Sequence, residues 1–178
     1  MPQAVTHILI PIILLSLFRD FIVKDKKKFP LHYVLIGGIA GILPDLDLLA
    51  YYILGFFGFT LNELHRTFSH NLFFVLLFVL LGLLFIGTKN KELGKHHLKL
   101  GTIFFVIGFG AFIHLLLDAL IVGEIVLFYP FSSYAIGLNL FRIFPDFWQG
   151  TLMASLDAGL LIVWLIYMEV KHKISDFI

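Results

Sequence analysis

Histidine and aspartate side chains recur in four apolar stretches of this chain. Two of them, His114 and Asp118, are four residues apart, and His65 and His70 bound the motif HRTFSH. Imidazole nitrogens and carboxylate oxygens bind transition-metal ions, and ionisable groups inside apolar segments indicate a functional site because burying them is costly. We therefore predict one metal centre, with the candidate ligands His7, Asp45, Asp47, His65, His70, His114 and Asp118.

The local spacing of these residues indicates how they converge. His114 and Asp118 project from one face of a helix. His65 and His70 would diverge by roughly 140° on a continuous helix, so we predict a turn at Thr67 and Ser69, with Ser69 as the helix N-cap.

Asp45 and Asp47 follow Pro44 in the motif PDLD. Proline breaks or kinks a helix, and a break could turn both carboxylates toward one centre. An equally good interpretation makes Asp45 the N-cap of the helix that follows the break.

The composition indicates the class of protein that must position these side chains. The chain is 60% hydrophobic and 14% charged, and its mean hydropathy is +0.97. Such values are typical of an integral membrane protein. The chain has no cysteine, so disulfides and thiolate ligands are excluded. We predict one all-α integral membrane domain over residues 1–178, a polytopic helix bundle.

Spans of about 20 apolar residues predict about five transmembrane helices. They cover residues 5–23, 31–57, 71–87, 100–122 and 151–170. Pro44 should divide the second into two halves, and Gly37 with Gly41 forms a small-residue pattern that favours close helix packing. The aromatic segment 128–148 is too short and interrupted for a span, so we interpret it as an interfacial or re-entrant flap.

The basic residues predict the orientation of the bundle. Five spans place eleven of the 13 lysines and arginines on one side, which the positive-inside rule makes cytoplasmic. The amino terminus then lies outside and the carboxyl terminus inside. His96, His97 and His172 fall on the basic side, where we interpret them as solvated.

Depth along the predicted helices brings the candidate ligands to one level. At 1.5 Å per residue, they lie about 21–27 Å from the cytoplasmic ends in a hydrocarbon core of about 30 Å. Asp157 reaches about 20 Å on the same scale and is a candidate partner that orients a ligand histidine.

Five motifs in this order carry a family resemblance. They are Thr6-His7, Pro44-Asp45-Leu46-Asp47, His65-Arg66-Thr67-Phe68-Ser69-His70, His114 with Asp118, and Tyr129-Pro130-Phe131. Over residues 5–131 the chain resembles the YdjM-like family of membrane-bound proteins, which are predicted to be metal-dependent hydrolases. The resemblance implies a multi-pass prokaryotic membrane protein with a His/Asp metal centre, similar in broad terms to zinc-dependent phospholipases.

The donor set indicates the chemistry. Histidine and carboxylate ligands suit zinc, with manganese or iron as alternatives, and seven candidates are enough for two ions. We expect hydrolysis of a phosphoester in a phospholipid or polyprenyl phosphate at the outer face of the cytoplasmic membrane. Asp47 is the candidate general base and Arg66 the candidate phosphate clamp. We expect a membrane lipid as partner and no nucleic acid.

Two other classes of protein remain as alternatives. A transporter of metal ions or protons would carry ionisable residues at several depths of the membrane. A non-catalytic scaffold would hold a structural metal in a closed site, with no open coordination position.

Overall fold

The computed structural model describes residues 4–60, 65, 69–87, 92–93 and 98–174. In this part of the chain the main elements are helices: α1 (Ala4–Leu17), α2 (Leu31–Ala40), α3 (Asp47–Leu54), α4 (Leu72–Ile86), α5 (Leu100–Leu117) and α6 (Asp146–His172). A short antiparallel hairpin of β1 (Glu92–Leu93) and β2 (Leu98–Lys99) precedes α5. The all-α prediction is confirmed.

Among the described residues, three helical stretches are long and apolar enough to cross a membrane. They are Ala4–Ile22, Leu100–Ile121 and Asp146–His172. The first two extend α1 and α5 through π-helical turns. A fourth span results if α2 is combined with Pro44–Phe57, to which it is bent by 49°. The predicted break at Pro44 is therefore confirmed.

Helix α4 is shorter than the predicted span over residues 71–87. Its 15 residues extend about 22 Å, less than the thickness of a hydrocarbon core of about 30 Å. Asn71 caps its first turn by accepting a hydrogen bond from the Phe74 amide at 2.9 Å. The predicted cap at Ser69 is wrong because the Ser69 hydroxyl instead donates to Asp47.

Helix α5 lies at the centre of the bundle and packs against α1, α2 and α4. Close packing requires small residues on its surface. A Cβ atom at Gly110 would lie 2.3 Å from the carbonyl oxygen of Gly37 in α2. The predicted role of Gly37 in helix packing is thus consistent with the contact between these two backbones.

Helix α6 packs against α1 and begins five residues before the predicted start at residue 151. Phe147 and Trp148 therefore belong to its first turn and not to the predicted flap. The preceding segment contains a bridge between Ile125 and Ile136 and a 3-10 turn at Leu140–Ile143. Helix α6 also exposes β-branched apolar side chains on a surface that lipid would cover, at Ile162, Val163, Ile166 and Val170.

A polar network joins the carboxyl-terminal ends of α1 and α6. Asp20 accepts hydrogen bonds from Tyr167 at 2.6 Å and from Arg19 at 2.8 Å. His172 Nε2 lies 2.9 Å from the same carboxylate, so its interpretation as a solvated residue is wrong. His96 and His97 lie outside the described residues.

Candidate metal centre

Four elements deliver the predicted ligands to one place. His7 lies in the first turn of α1, Asp45 in the 3-10 turn Pro44–Leu46, and His70 two residues before α4. His114 lies in the last turn of α5, and Asp118 begins the π-helical turn after it. The break after α2 thus positions Asp45 at the same centre that His70 reaches just before α4.

The most buried group of donor atoms lies between α5 and the start of α4. His114 Nε2 is 3.1 Å from His70 Nε2 and 3.6 Å from Asp118 Oδ2. His70 Nε2 lies 3.7 Å from that same oxygen. The three residues are at most 1% exposed, so lipid or solvent does not reach them directly.

Asp45 and His7 extend this group on two sides. Asp45 Oδ1 lies 3.4 Å from His70 Nε2 and 3.6 Å from His114 Nε2. The Nε2 atom of His7 is 3.5 Å from Asp118 Oδ1, and the ring centroids of His7 and His114 are 4.0 Å apart. Asp45 is not an N-cap: neither of the two helical turns that follow α2 has a side-chain cap.

The described residues contain three overlapping ligand trios. In each trio the potential ligand atoms lie within 4.8 Å of one another, and the trios are His7–Asp45–His114, Asp45–His65–His70 and His70–His114–Asp118. Six of the seven predicted ligands are therefore brought together in groups that could hold a metal ion. The seventh, Asp47, lies at their edge.

The separations and hydrogen bonding of these donors fit a divalent metal. Ligand atoms about 2.1 Å from a tetrahedral ion lie roughly 3.4 Å apart, and the separations above span 3.1–3.7 Å. Within the described part of the chain, buried polar atoms without a hydrogen-bond partner include both ring nitrogens of His7, Asp45 Oδ1 and His65 Nε2. Such atoms are costly unless something binds them.

The Gly41 carbonyl fixes the tautomer and orientation of the neutral His114 ring. The Nδ1 atom of His114 lies 2.7 Å from the Gly41 carbonyl oxygen, which can only accept a hydrogen bond. Nδ1 therefore carries the proton, and in the neutral ring Nε2 presents its lone pair to the centre. This is the arrangement by which proteins orient metal-ligating histidines. No sequence pattern indicated a role for this carbonyl, because the glycine pattern predicted only close helix packing.

Asp47 contacts His65 and His70 at Nδ1, the ring nitrogen of each that does not face the centre. Its carboxylate lies 2.9 Å from His65 Nδ1 and 3.2 Å from His70 Nδ1, and it accepts a hydrogen bond from Ser69 at 2.9 Å. These contacts leave the Nε2 atoms of both histidines available to the centre. The geometry favours an orienting role for Asp47, and Ser69 is a contributor that the sequence interpretation assigned only to capping.

Asp157 contacts Thr6, the residue before the candidate ligand His7, and not the His7 ring. Its Oδ1 atom accepts hydrogen bonds from the Thr6 amide, at 3.0 Å, and from the Thr6 hydroxyl. Asp157 is 6% exposed and Thr6 is 1% exposed. The contact attaches the start of α1, and with it His7, to α6.

The centre has a closed side and an accessible side. The side chains of His70 and His114 are 0% exposed, whereas those of Asp45, His65 and Asp47 are 24%, 12% and 10% exposed. A reactant would therefore approach past the carboxylates of the Pro44 break. Arg66, the predicted phosphate clamp, lies outside the described residues.

Comparisons with known proteins place the chain in a family. No curated protein and no solved structure matches it. The sequence model of a family described as YdjM inner membrane protein matches residues 1–173, nearly the whole chain. The match agrees with the resemblance carried by the His/Asp motifs and with the apolar helices. The chain belongs to the YdjM inner membrane protein family.

Proposed function

We propose that this protein is a membrane-embedded, metal-dependent hydrolase that cleaves a phosphoester of a lipid at the outer face of the inner membrane. The observation that carries the proposal is the convergence of Asp45, His70, His114 and Asp118 donors, with one side accessible and the other sealed. Such a site can hold an ion and still admit a reactant.

Six residues would hold the metal, and zinc is the ion that the donor set suits best. A division between two ions would give Asp45, His65 and His70 to one ion and His7, His114 and Asp118 to the other. In such a site, bound ions supply Lewis acidity to an ester oxygen and generate a nucleophile from water near neutral pH.

The protein's own residues orient these ligands and the substrate. Asp47 and the Gly41 carbonyl hold three imidazole rings with Nε2 toward the centre. Asp47 is also the accessible carboxylate nearest to His65 and His70, so it remains our candidate to accept a proton from water. Arg66, between the two histidines in sequence, is the candidate to bind a phosphate oxygen.

Transport is less well supported than hydrolysis. A path for ions or protons requires ionisable groups on both sides of the centre. Residues 8–17 of α1, 33–40 of α2 and 101–113 of α5 contain no Asp, Glu, Lys, Arg or His. Leu15, Val34 and Val106 instead pack there into an apolar cluster. A purely structural site is disfavoured because it would not require more donors than one tetrahedral ion binds.

The test combines metal content with hydrolysis. Protein purified in detergent should contain one to two equivalents of metal by elemental analysis, and it should release phosphate or headgroup from phospholipid or polyprenyl-phosphate micelles. His70→Ala and His114→Ala should lose both properties, whereas His32→Ala, an exposed histidine at the start of α2, should retain them. Full metal content without hydrolysis of any lipid ester would favour a structural site. Retained metal in both variants would disprove the ligand assignment.

A further inference from the structure

An apolar cavity of about 640 Å³ lies next to the accessible side of the metal centre. One wall comes from α3 and the turn before it, with Leu46, Ala50 and Leu54, and the other from α4, with Phe74 and Phe78. The volume lies within the range of small-molecule sites in proteins. Since α3 contains no buried residue, this helix stands away from the rest of the bundle and leaves the cavity between itself and α4.

Two polar residues in the described part of the chain line the cavity and connect it to the centre. Asp47 and Ser69 are hydrogen-bonded to each other at 2.9 Å, and both lie beside His70 Nδ1. The other described residues that line it are apolar. The cavity therefore has one polar end at the metal centre and an apolar remainder, which is the polarity of a lipid with its ester group at one end and its hydrocarbon chain beyond it.

We propose that this cavity binds one hydrocarbon chain of the lipid and thereby places its phosphoester at the accessible side of the centre. The inference rests on the proposed function for the identity of the ester, but chain binding itself does not require hydrolysis. An apolar site open to the bilayer favours a chain because it adds close packing contacts to the apolar surroundings that lipid already provides.

Ala50→Phe tests the cavity because it adds a ring to the α3 wall without altering a ligand or Asp47. The matched control is Leu49→Phe, which puts the same side chain on the neighbouring residue, 62% exposed and outside the cavity lining. Phe78→Ala is the reverse change, since it enlarges the cavity.

The direct readout is photocrosslinking with phosphatidic acid that carries a diazirine on one acyl chain, followed by peptide mapping. In the wild type, crosslinks should concentrate on the cavity walls of α3 and α4. Ala50→Phe should lower this crosslinking severalfold, because the added ring occupies part of the volume in which the chain would make its packing contacts. Leu49→Phe should leave it unchanged, and Phe78→Ala should retain it.

Hydrolysis of long-chain and short-chain esters supplies the second readout. Ala50→Phe should lower kcat/KM for the long-chain ester only, with unchanged metal content. Cavity crosslinks without hydrolysis would support chain binding and refute the hydrolase. Hydrolysis with crosslinks spread evenly over the exposed apolar surface, or equal crosslinking in Ala50→Phe and the wild type, would overturn the chain site. If Ala50→Phe loses its metal, Phe78→Ala provides the second test. A chain-length preference of Phe78→Ala equal to that of the wild type would also overturn the chain site.

Discussion

Gly41→Ala should disrupt the metal centre although Gly41 offers no side chain to it. A Cβ atom at this position would lie 1.9 Å from the His7 carbonyl oxygen and 2.9 Å from the His7 carbonyl carbon. Both are backbone atoms, so no side-chain rotation relieves the overlap. Gly41 has φ −62° and ψ −19°, which alanine adopts readily, so the effect of the substitution is steric.

The size of the effect follows from the required displacement. A carbon and a carbonyl oxygen normally approach to about 3.3 Å, so α1 and α2 must separate by roughly 1.4 Å beyond the 1.9 Å contact. Overpacking of this kind typically costs about 1–3 kcal/mol of folding free energy. The same movement displaces His7 and the carbonyl that orients His114, and a misplacement of about 1 Å can lower the rate of a reaction by about 100-fold.

The assay is a titration of metal-free protein with zinc, together with thermal unfolding and lipid-ester hydrolysis. We expect Gly41→Ala to bind zinc about 10–100-fold more weakly, as changes to the groups that orient ligands do. Gly159→Ala in α6 is the matched control, because a Cβ atom there meets nothing within 4 Å. Zinc affinity and activity within twofold of the wild type in Gly41→Ala would refute the role of this contact.

Three further substitutions test the orienting role of Asp47, the buried hydrogen bonds of Asp157 and the contact of His172 with Asp20. Asp47→Asn should weaken zinc binding about 10–100-fold while His70→Ala abolishes it; an equal loss in a calorimetric titration would make Asp47 a ligand. Asp157→Ala should lower the free energy of unfolding by about 1–3 kcal/mol, since buried Thr6 loses its acceptor. Exposed Asp146→Ala is the control in thermal unfolding, and equal midpoints would contradict this role. His172→Ala should lower the unfolding midpoint through its lost contact with Asp20 but leave the metal content unchanged; reduced metal content would show coupling between the two ends of the bundle.

The sequence predicted much of the fold because membrane helices follow from hydropathy. Each predicted span has a helical counterpart, and Pro44 marks the observed break. The boundaries near the site were less predictable. Helix α4 begins after Asn71, whose side chain caps it, and α6 begins after Pro145 within the aromatic segment, so hydropathy alone did not place these two starts.

For the metal centre, the residue types and the spacing of helical residues were sufficient to nominate the donors. His114 and Asp118 share a helix face at any helix packing, and the position of a donor along its own helix can be counted from the sequence alone. This is why the sequence could single out His7, His70 and Asp45 from separate segments.

Tertiary structure alone decided which side of each donor faces the centre. The rotation of a ring depends on the hydrogen bond at its other nitrogen, and the partners here, the Gly41 carbonyl and the Asp47 carboxylate, come from segments distant in sequence. The link from Asp157 to Thr6 spans 151 positions, and no local pattern encodes it. Composition and periodicity therefore nominated the donors, whereas long-range packing determined their orientation, because only contacts between helices fix the rotation of a side chain about its own bonds.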